Sequence, residues 1–242
     1  MRPEIFAAAR RSDFWAGLED ARLDRDLLTL VPASLELPTD DALLDRVCDA
    51  FALIVDAKSP FTFDHSSRVA EYAVAINERL GYPVDAVRLR RAGLLHDIGK
   101  LSVPNSILDK PGRLDPEERL TVQQHTTYTL SLLQTVPIFS EFADDAANHH
   151  EWMDGKGYSR GLGGAQLSTT ARILAVADVL DAVTSNRPYQ NGMPIDRVRD
   201  IFVKETGTHF ADDCVEAGMG DVAEYAVARH RAPDQHAAQP AA

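Results

Sequence analysis

An all-α helical bundle is the fold this chain predicts. Three observations carry that expectation: apolar residues recur at helical spacing along most of the chain, strand-like alternation is essentially absent, and start and stop signals bracket the periodic stretches. The first stretch, 41–57, sets Leu44, Val47, Cys48, Phe51, Ile54 and Val55 on one stripe, with Thr39 and Asp40 as cap candidates. A second, 65–80, aligns Val69, Tyr72, Ala73, Ile76 and Leu80 and stops at Gly81. Pro83 and Asp85 open a third, whose Ala92, Leu94 and Leu95 run straight into His96-Asp97. Asp115-Pro116-Glu117-Glu118 starts a helix that carries His125, Tyr128, Leu132 and Leu133, with proline at its first position and glutamate at its third. Another helix runs from about Phe139 to His149-His150, and one over about 168–184 carries Ile173, Val176, Ala177 and Leu180. Residues 194–206 and 211–230 hold two or three more, and loops at 98–114 and 153–167 interrupt the series. The main domain is therefore set at 41–231. Residues 1–40 form a short N-terminal helical extension or the remnant of an upstream domain, and 232–242 a disordered tail.

With 242 residues the chain is long enough for a sizeable core. Its net charge of −12 excludes a general binder of nucleic-acid polymers or membrane surfaces, so an anionic substrate needs a local positive site. Cys48 and Cys214 lack CxxC spacing and sit in apolar-patterned segments, which reads as core packing in a reducing compartment. No stretch is long and apolar enough to cross a membrane and the first residues lack a signal-peptide core, so a cytoplasmic protein is expected.

The residues that carry chemistry are His65, His96-Asp97, His125, His149-His150 and Asp178. Imidazole suits manganese, iron, nickel or zinc and carboxylate suits the harder of these, so the mixed set points to a divalent pair and a metal-dependent hydrolase. An adjacent His96 and Asp97 at a helix end places a nitrogen on one metal while the carboxylate bridges to a second. Gly99 lets the backbone turn away, and Lys100 sets a cation beside the cluster, where it can hold a phosphate oxygen.

The chain resembles the HD phosphohydrolase superfamily and, within it, the HD-GYP subfamily of cyclic dinucleotide phosphodiesterases. The resemblance runs from about Asp41 to Gly220. It rests on His65-Ser66-Ser67-Arg68-Val69-Ala70, His96-Asp97-Ile98-Gly99-Lys100, Ile107 through Gly112, His125, His149 through Tyr158, Ala171 through Asp178, and Asp181 through Tyr189. It implies an HD-domain bundle with metal ligands at His65, His96, Asp97, His125, His149, His150 and Asp178, Asp97 bridging. Phe61 stands where some members place a third-metal glutamate, so two divalent ions are expected, iron or manganese ahead of nickel or zinc. The implied reaction is hydrolysis of cyclic di-GMP or a related cyclic dinucleotide, to the linear dinucleotide or GMP, by a hydroxide bridging the two metals. Asp97 and Lys100 are the expected catalytic residues; Lys100, Asp181 and Arg187 are the expected substrate contacts, Arg187 able to fork onto a phosphate.

Two departures qualify the resemblance. The family's Gly-Tyr-Pro reads Gly157-Tyr158-Ser159, which predicts a more mobile loop and weakens the docking to a diguanylate cyclase or regulatory partner that the family associates with it. Gln190 replaces a usual basic residue, weakening one phosphate or base contact. A homodimer stays open. Arg172 reads as structural, Arg88, Arg90 and Arg91 as a solvated face, and His209 as packing or surface. His230 and His236 read as a solvated C-terminal face, and Trp152 as rim packing or a base-stacking ring.

Overall fold

The computed structural model describes residues 40–59, 64–186 and 191–231. Residues 44–242 form one unit and 1–43 another, of which 40–43 are described. The readings placed on the 1–40 extension, Phe61, Arg187, Gln190 and the tail after 231 thus fall wholly or almost wholly outside the described residues.

Among the described residues the fold is all-α, with one isolated bridge between Thr206 and Phe210. Helix α1 covers Asp41–Asp56, α2 His65–Arg79 and α3 Ala86–Leu95. Asp40 Oδ1 accepts the Leu43 amide at 2.7 Å, the cap expected there. Ile54, placed on the inner stripe by spacing, is 54% exposed instead, because the buried face of α1 follows Leu44, Cys48, Ala52 and Val55. The α2 stripe Val69, Tyr72, Ala73 and Ile76 is fully buried, and Gly81 leaves the helix at φ +79°. Asp56, closing α1, caps the start of α2 by accepting from Ser66 N at 3.0 Å and Ser66 Oγ at 2.8 Å. The arginines of α3 are not merely solvated: Arg90 and Arg91 pair with Asp49 and Asp45 of α1 at 2.6 and 2.7 Å, and Arg88 lies 3.7 Å from Asp145. The two aspartates, four apart on α1, face that helix.

The loop at 98–114 contains a 3₁₀ turn, Ile98–Ser102, and a single turn, α4, Asn105–Leu108. The expected long helix after Asp115 is two, α5 Pro116–Gln123 and α6 His125–Thr135. The break has a local cause. His125 Nδ1 and Thr126 Oγ1 donate to the carbonyls of Val122 and Gln123 at 2.7 and 3.1 Å, in competition with the backbone amides for those acceptors. Likewise 139–150 is not one helix but α7, Pro137–Ser140, and α8, Ala143–Ala147, with the two histidines in the turn that follows.

Helix α9, Thr169–Thr184, is capped by Ser168 and buried on nearly every side, as a central helix must be. Helices α10 Ile195–Glu205, α11 Asp212–Gly218 and α12 Asp221–Arg231 complete the bundle. Cys48 and Cys214 are both 0% exposed, and burial pushes their thiols up to about 11 and about 12. None of the described helices is long and apolar enough to cross a membrane.

Close packing of α2 on α3 depends on Gly93, where a Cβ would stand 2.9 Å from Ala70 Cα. Gly93→Ala is expected to destabilise the chain by about 1–3 kcal/mol through overpacking, read as a lowered urea midpoint at unchanged slope.

Candidate metal centre

Four imidazoles are aimed by hydrogen bonds at Nδ1, and three use the same device. His96 follows the end of α3 and donates Nδ1–H to Gly93 O at 2.7 Å; His125 does so to Val122 O at 2.7 Å, and His149, after α8, to Ala146 O at 2.6 Å. In each case the acceptor lies three residues back, where a helix end or break frees a carbonyl. The proton is thereby held on Nδ1 and the Nε2 lone pair is presented inward. His65, at the start of α2, has no such carbonyl; its Nδ1 donates to Asp181 Oδ2 at 2.7 Å.

The Nε2 atoms converge on Asp97. Its Oδ2 lies 3.5 Å from His65 Nε2 and 3.3 Å from His96 Nε2, while its Oδ1 lies 3.3 Å from His125 Nε2 and 3.9 Å from His149 Nε2. Asp178 Oδ1 joins the first side, 3.4 Å from His65 Nε2, and Asp178 Oδ2 faces His150 Nδ1 on the second at 3.8 Å. Two triads, His65–His96–Asp178 and His125–His149–His150, are joined by a third group, His96–Asp97–His149, each with its donor atoms within 4.8 Å of one another. Two bonds of about 2.1 Å at a right angle leave their donors about 3 Å apart, so this spacing suits cations. His96 Nε2 and Asp97 Oδ1 are buried without a hydrogen-bond partner. Such atoms are expensive to leave unsatisfied in a protein interior, and a bound cation satisfies both. The residues present fit a metal pair.

At His125, His149 and His150 the electrostatics agree with that use. Burial pushes His125 down to about 4 and His150 to about 3, and holds His149 well below the usual imidazole range, so all three are neutral donors at pH 7. Burial alone would raise Asp97, but the Lys100 ammonium and His96 outweigh it and keep the carboxyl well below its ordinary value. Burial would lower His65, and its bonds to Asp178, Asp181 and Asp97 overcome this and raise it well above.

Lys100 stands where spacing put it, its Nζ on Asp97 Oδ2 and its side chain 21% exposed. Asp181, expected against substrate, is 1% exposed and works behind the centre instead. Arg68 forks onto it, Nε to Oδ1 at 2.5 Å and Nη2 to Oδ2 at 3.1 Å, and Ser185 Oγ donates to Oδ2 at 3.2 Å. His230 belongs to this group too, 3.3 Å from Ser185 Oγ and 3.7 Å from Asp181 Oδ1, and is not a solvated residue as its sequence context suggested. Arg68 and His230 were missed as contributors. For Arg68 the signal existed, one turn after His65 on the same helix face; for His230 there was none.

The Gly157-Tyr158-Ser159 loop is fastened from beneath. Glu151, 1% exposed, accepts from Arg160 N at 2.5 Å and Leu162 N at 2.9 Å, and Tyr158 N donates to His150 O at 3.1 Å. At Gly157 a Cβ would lie 2.5 Å from His150 O, Trp152 N and Glu151 Cα, so only glycine fits. None of these hydrogen bonds comes from residue 159. Arg172 is structural as expected, donating to Gly164 O.

The HD domain family model matches residues 49–213. The chain is 44% identical over 205 residues to the 3'3'-cGAMP-specific phosphodiesterase 3 of Vibrio cholerae, covering 84% of this chain and 45% of that protein. It is 34% identical over 199 residues to a cyclic di-GMP phosphodiesterase of Thermotoga maritima, covering 81% of this chain and 54% of that one. The chain thus spans about half the length of these curated relatives. The crystal structure of a cyclic GMP-AMP specific phosphodiesterase of V. cholerae matches with a TM-score of 0.51 at 37% identity, over 93% of this chain and 50% of that chain. The HD domain of the L. monocytogenes phosphodiesterase PgpH shares the fold, with a TM-score of 0.52 at 17% identity over 75% of this chain and 96% of that one.

Asp181→Asn keeps the shape behind His65 and removes its charge. Metal binding, measured by competition with a chelator, is expected to weaken by about 10–100-fold with the helical circular dichroism retained. An affinity within threefold of the parent would refute the support assigned to Asp181.

Proposed function

The chain belongs to the HD domain family, and from that premise we propose that it is a metal-dependent phosphodiesterase that hydrolyses a cyclic purine dinucleotide, cyclic di-GMP or the hybrid 3'3'-cGAMP. The observation that carries the reading is the position of Asp97, its two oxygens facing two separate donor triads. His65, His96 and Asp178 would hold one divalent ion and His125, His149 and His150 the other, with Asp97 shared between them. Bound there, a divalent pair supplies a water ionised near neutral pH and charge compensation for a phosphodiester oxygen.

The protein's own groups do the rest. The carbonyls of Gly93, Val122 and Ala146 keep three imidazoles in the tautomer that leaves Nε2 available. Asp181, braced by Arg68, does the same for His65. Lys100, partly exposed beside Asp97, is placed to take a non-bridging phosphate oxygen and to neutralise charge that builds as the bond breaks. Arg187 is proposed as a second phosphate contact from the motif alone. Likeness to proteins named for 3'3'-cGAMP and for cyclic di-GMP supports the substrate class.

The test is turnover of both dinucleotides by chain loaded anaerobically with Fe²⁺ or Mn²⁺, with metals counted on the same sample. Metal-dependent hydrolysis with two ions per chain is expected. Full occupancy with no turnover of either substrate would overturn the proposal. Asp97→Ala is expected to lose at least one metal and all turnover. Lys100→Ala should retain both metals and lose about 10²-fold or more in kcat, as removal of a transition-state donor does; equal loss of metal would make its role structural.

A further inference from the structure

A pile of four aromatic rings has one member two residues after His150 in sequence and takes no part in the chemistry above. Trp152 packs on His209 at 4.4 Å between ring centroids, His209 stacks on Phe210 at 4.0 Å and 12°, and Phe210 stacks on Phe202 at 4.7 Å. The pile is rooted in the core, since Phe202 and Phe210 are 0% and 1% exposed. Two backbone hydrogen bonds, Met153 N to His209 O at 3.2 Å and Asp154 N to Thr208 O at 2.9 Å, clamp the segments that carry its outer rings. It ends at Trp152, which is only half-buried and whose indole N–H donates to nothing among the described residues.

Its place relative to the centre is bounded by covalent geometry. Trp152 is two residues beyond His150, so the two Cα atoms are at most about 7 Å apart. His150 in turn faces Asp178 Oδ2 at 3.8 Å. Here a rigid, core-anchored stack ends in a half-buried ring two residues from His150.

We propose that Trp152, backed by His209, is a stacking shelf for one nucleobase of the substrate, which seats that base while the adjoining phosphate lies at Asp97 and Lys100. The proposal rests on the cyclic-dinucleotide reading above. A ring already held by its neighbours loses little freedom when a base settles on it, and every base offers a π face. The shelf therefore serves adenine and guanine alike. It governs affinity and orientation, and leaves the choice between the two purines to other groups.

The experiment compares the parent with Trp152→Ala and Trp152→Phe, all Mn²⁺-loaded, on 3'3'-cGAMP, cyclic di-GMP and p-nitrophenyl methyl phosphate, a diester without a nucleobase. Trp152→Ala is expected to raise KM at least tenfold for both dinucleotides, with kcat within threefold, metal content unchanged and the base-free diester unaffected. Trp152→Phe should recover most of the loss. In a Trp15→Phe background, leaving Trp152 as the sole tryptophan, dinucleotide titration should quench its emission. Dinucleotide KM values unchanged in Trp152→Ala would overturn the shelf and leave the phosphodiesterase reading standing. Loss of metal, or of base-free activity, in that variant would assign Trp152 to packing. A parent that cleaves the base-free diester yet neither binds nor cleaves a dinucleotide would overturn the substrate reading and the shelf with it.

Discussion

An α-helix runs out of amides before it runs out of carbonyls, and this centre is built on that shortage. Gly93, Val122 and Ala146 carry acceptors at a helix end or break, and each is taken by the imidazole three residues on. A histidine within an uninterrupted helix would compete with the backbone for such a carbonyl. At an end or break the imidazole can reach that carbonyl, and the bond fixes its tautomer. The short elements around His125 and His149, which look like defects in a bundle, are therefore what orient these imidazoles.

The second constraint is the burial of carboxylates. Asp178 and Asp181 sit one turn apart on a helix that is apolar over most of its surface, and neither would stay ionised there without partners. Their duties divide by direction. Asp178 looks toward the imidazoles of both triads, and Asp181 looks back at His65, Arg68, Ser185 and His230. Thr129 closes the arrangement from the other side, accepting from Gly99 N and donating to His96 O, both at 3.0 Å, so the His96–Asp97 turn is locked onto α6. The close approach needs Gly99, since a Cβ there would overlap the His125 carbonyl oxygen.

Much of this was legible before any coordinates. The helices through Leu95 and from Ser168 onward carry helical periodicity, with side-chain caps at Asp40, Asp85 and Ser168, and the donor set stands out because imidazole and carboxylate have few other reasons to gather. What spacing could not reveal was direction. Asp181 is the same residue type at the same place whether it meets a substrate or supports His65, and only its burial distinguishes the two. The breaks at Gln124 and within 141–142 come from side chains capturing carbonyls and from loop packing, which hydrophobic periodicity does not register. His230 lies on the last helix, and nothing near it in sequence announces that α12 returns to α9. The pairing of Arg90 and Arg91 with Asp49 and Asp45 was not legible, since a run of arginines reads as a solvated face until α1 and α3 are seen side by side.

The loop after His150 shows how unequal the letters of a short signature are. Gly157 is pressed against the backbone of residues 150–152, and Glu151 holds the turn from within. Residue 159 is exposed and contributes none of those restraints. Sterics therefore fix the first letter, while none of these hydrogen bonds depends on the third. A search that demands all three letters would discard chains whose ligand cage is complete, whereas one that weighs the glycine and the glutamate beneath it would keep them.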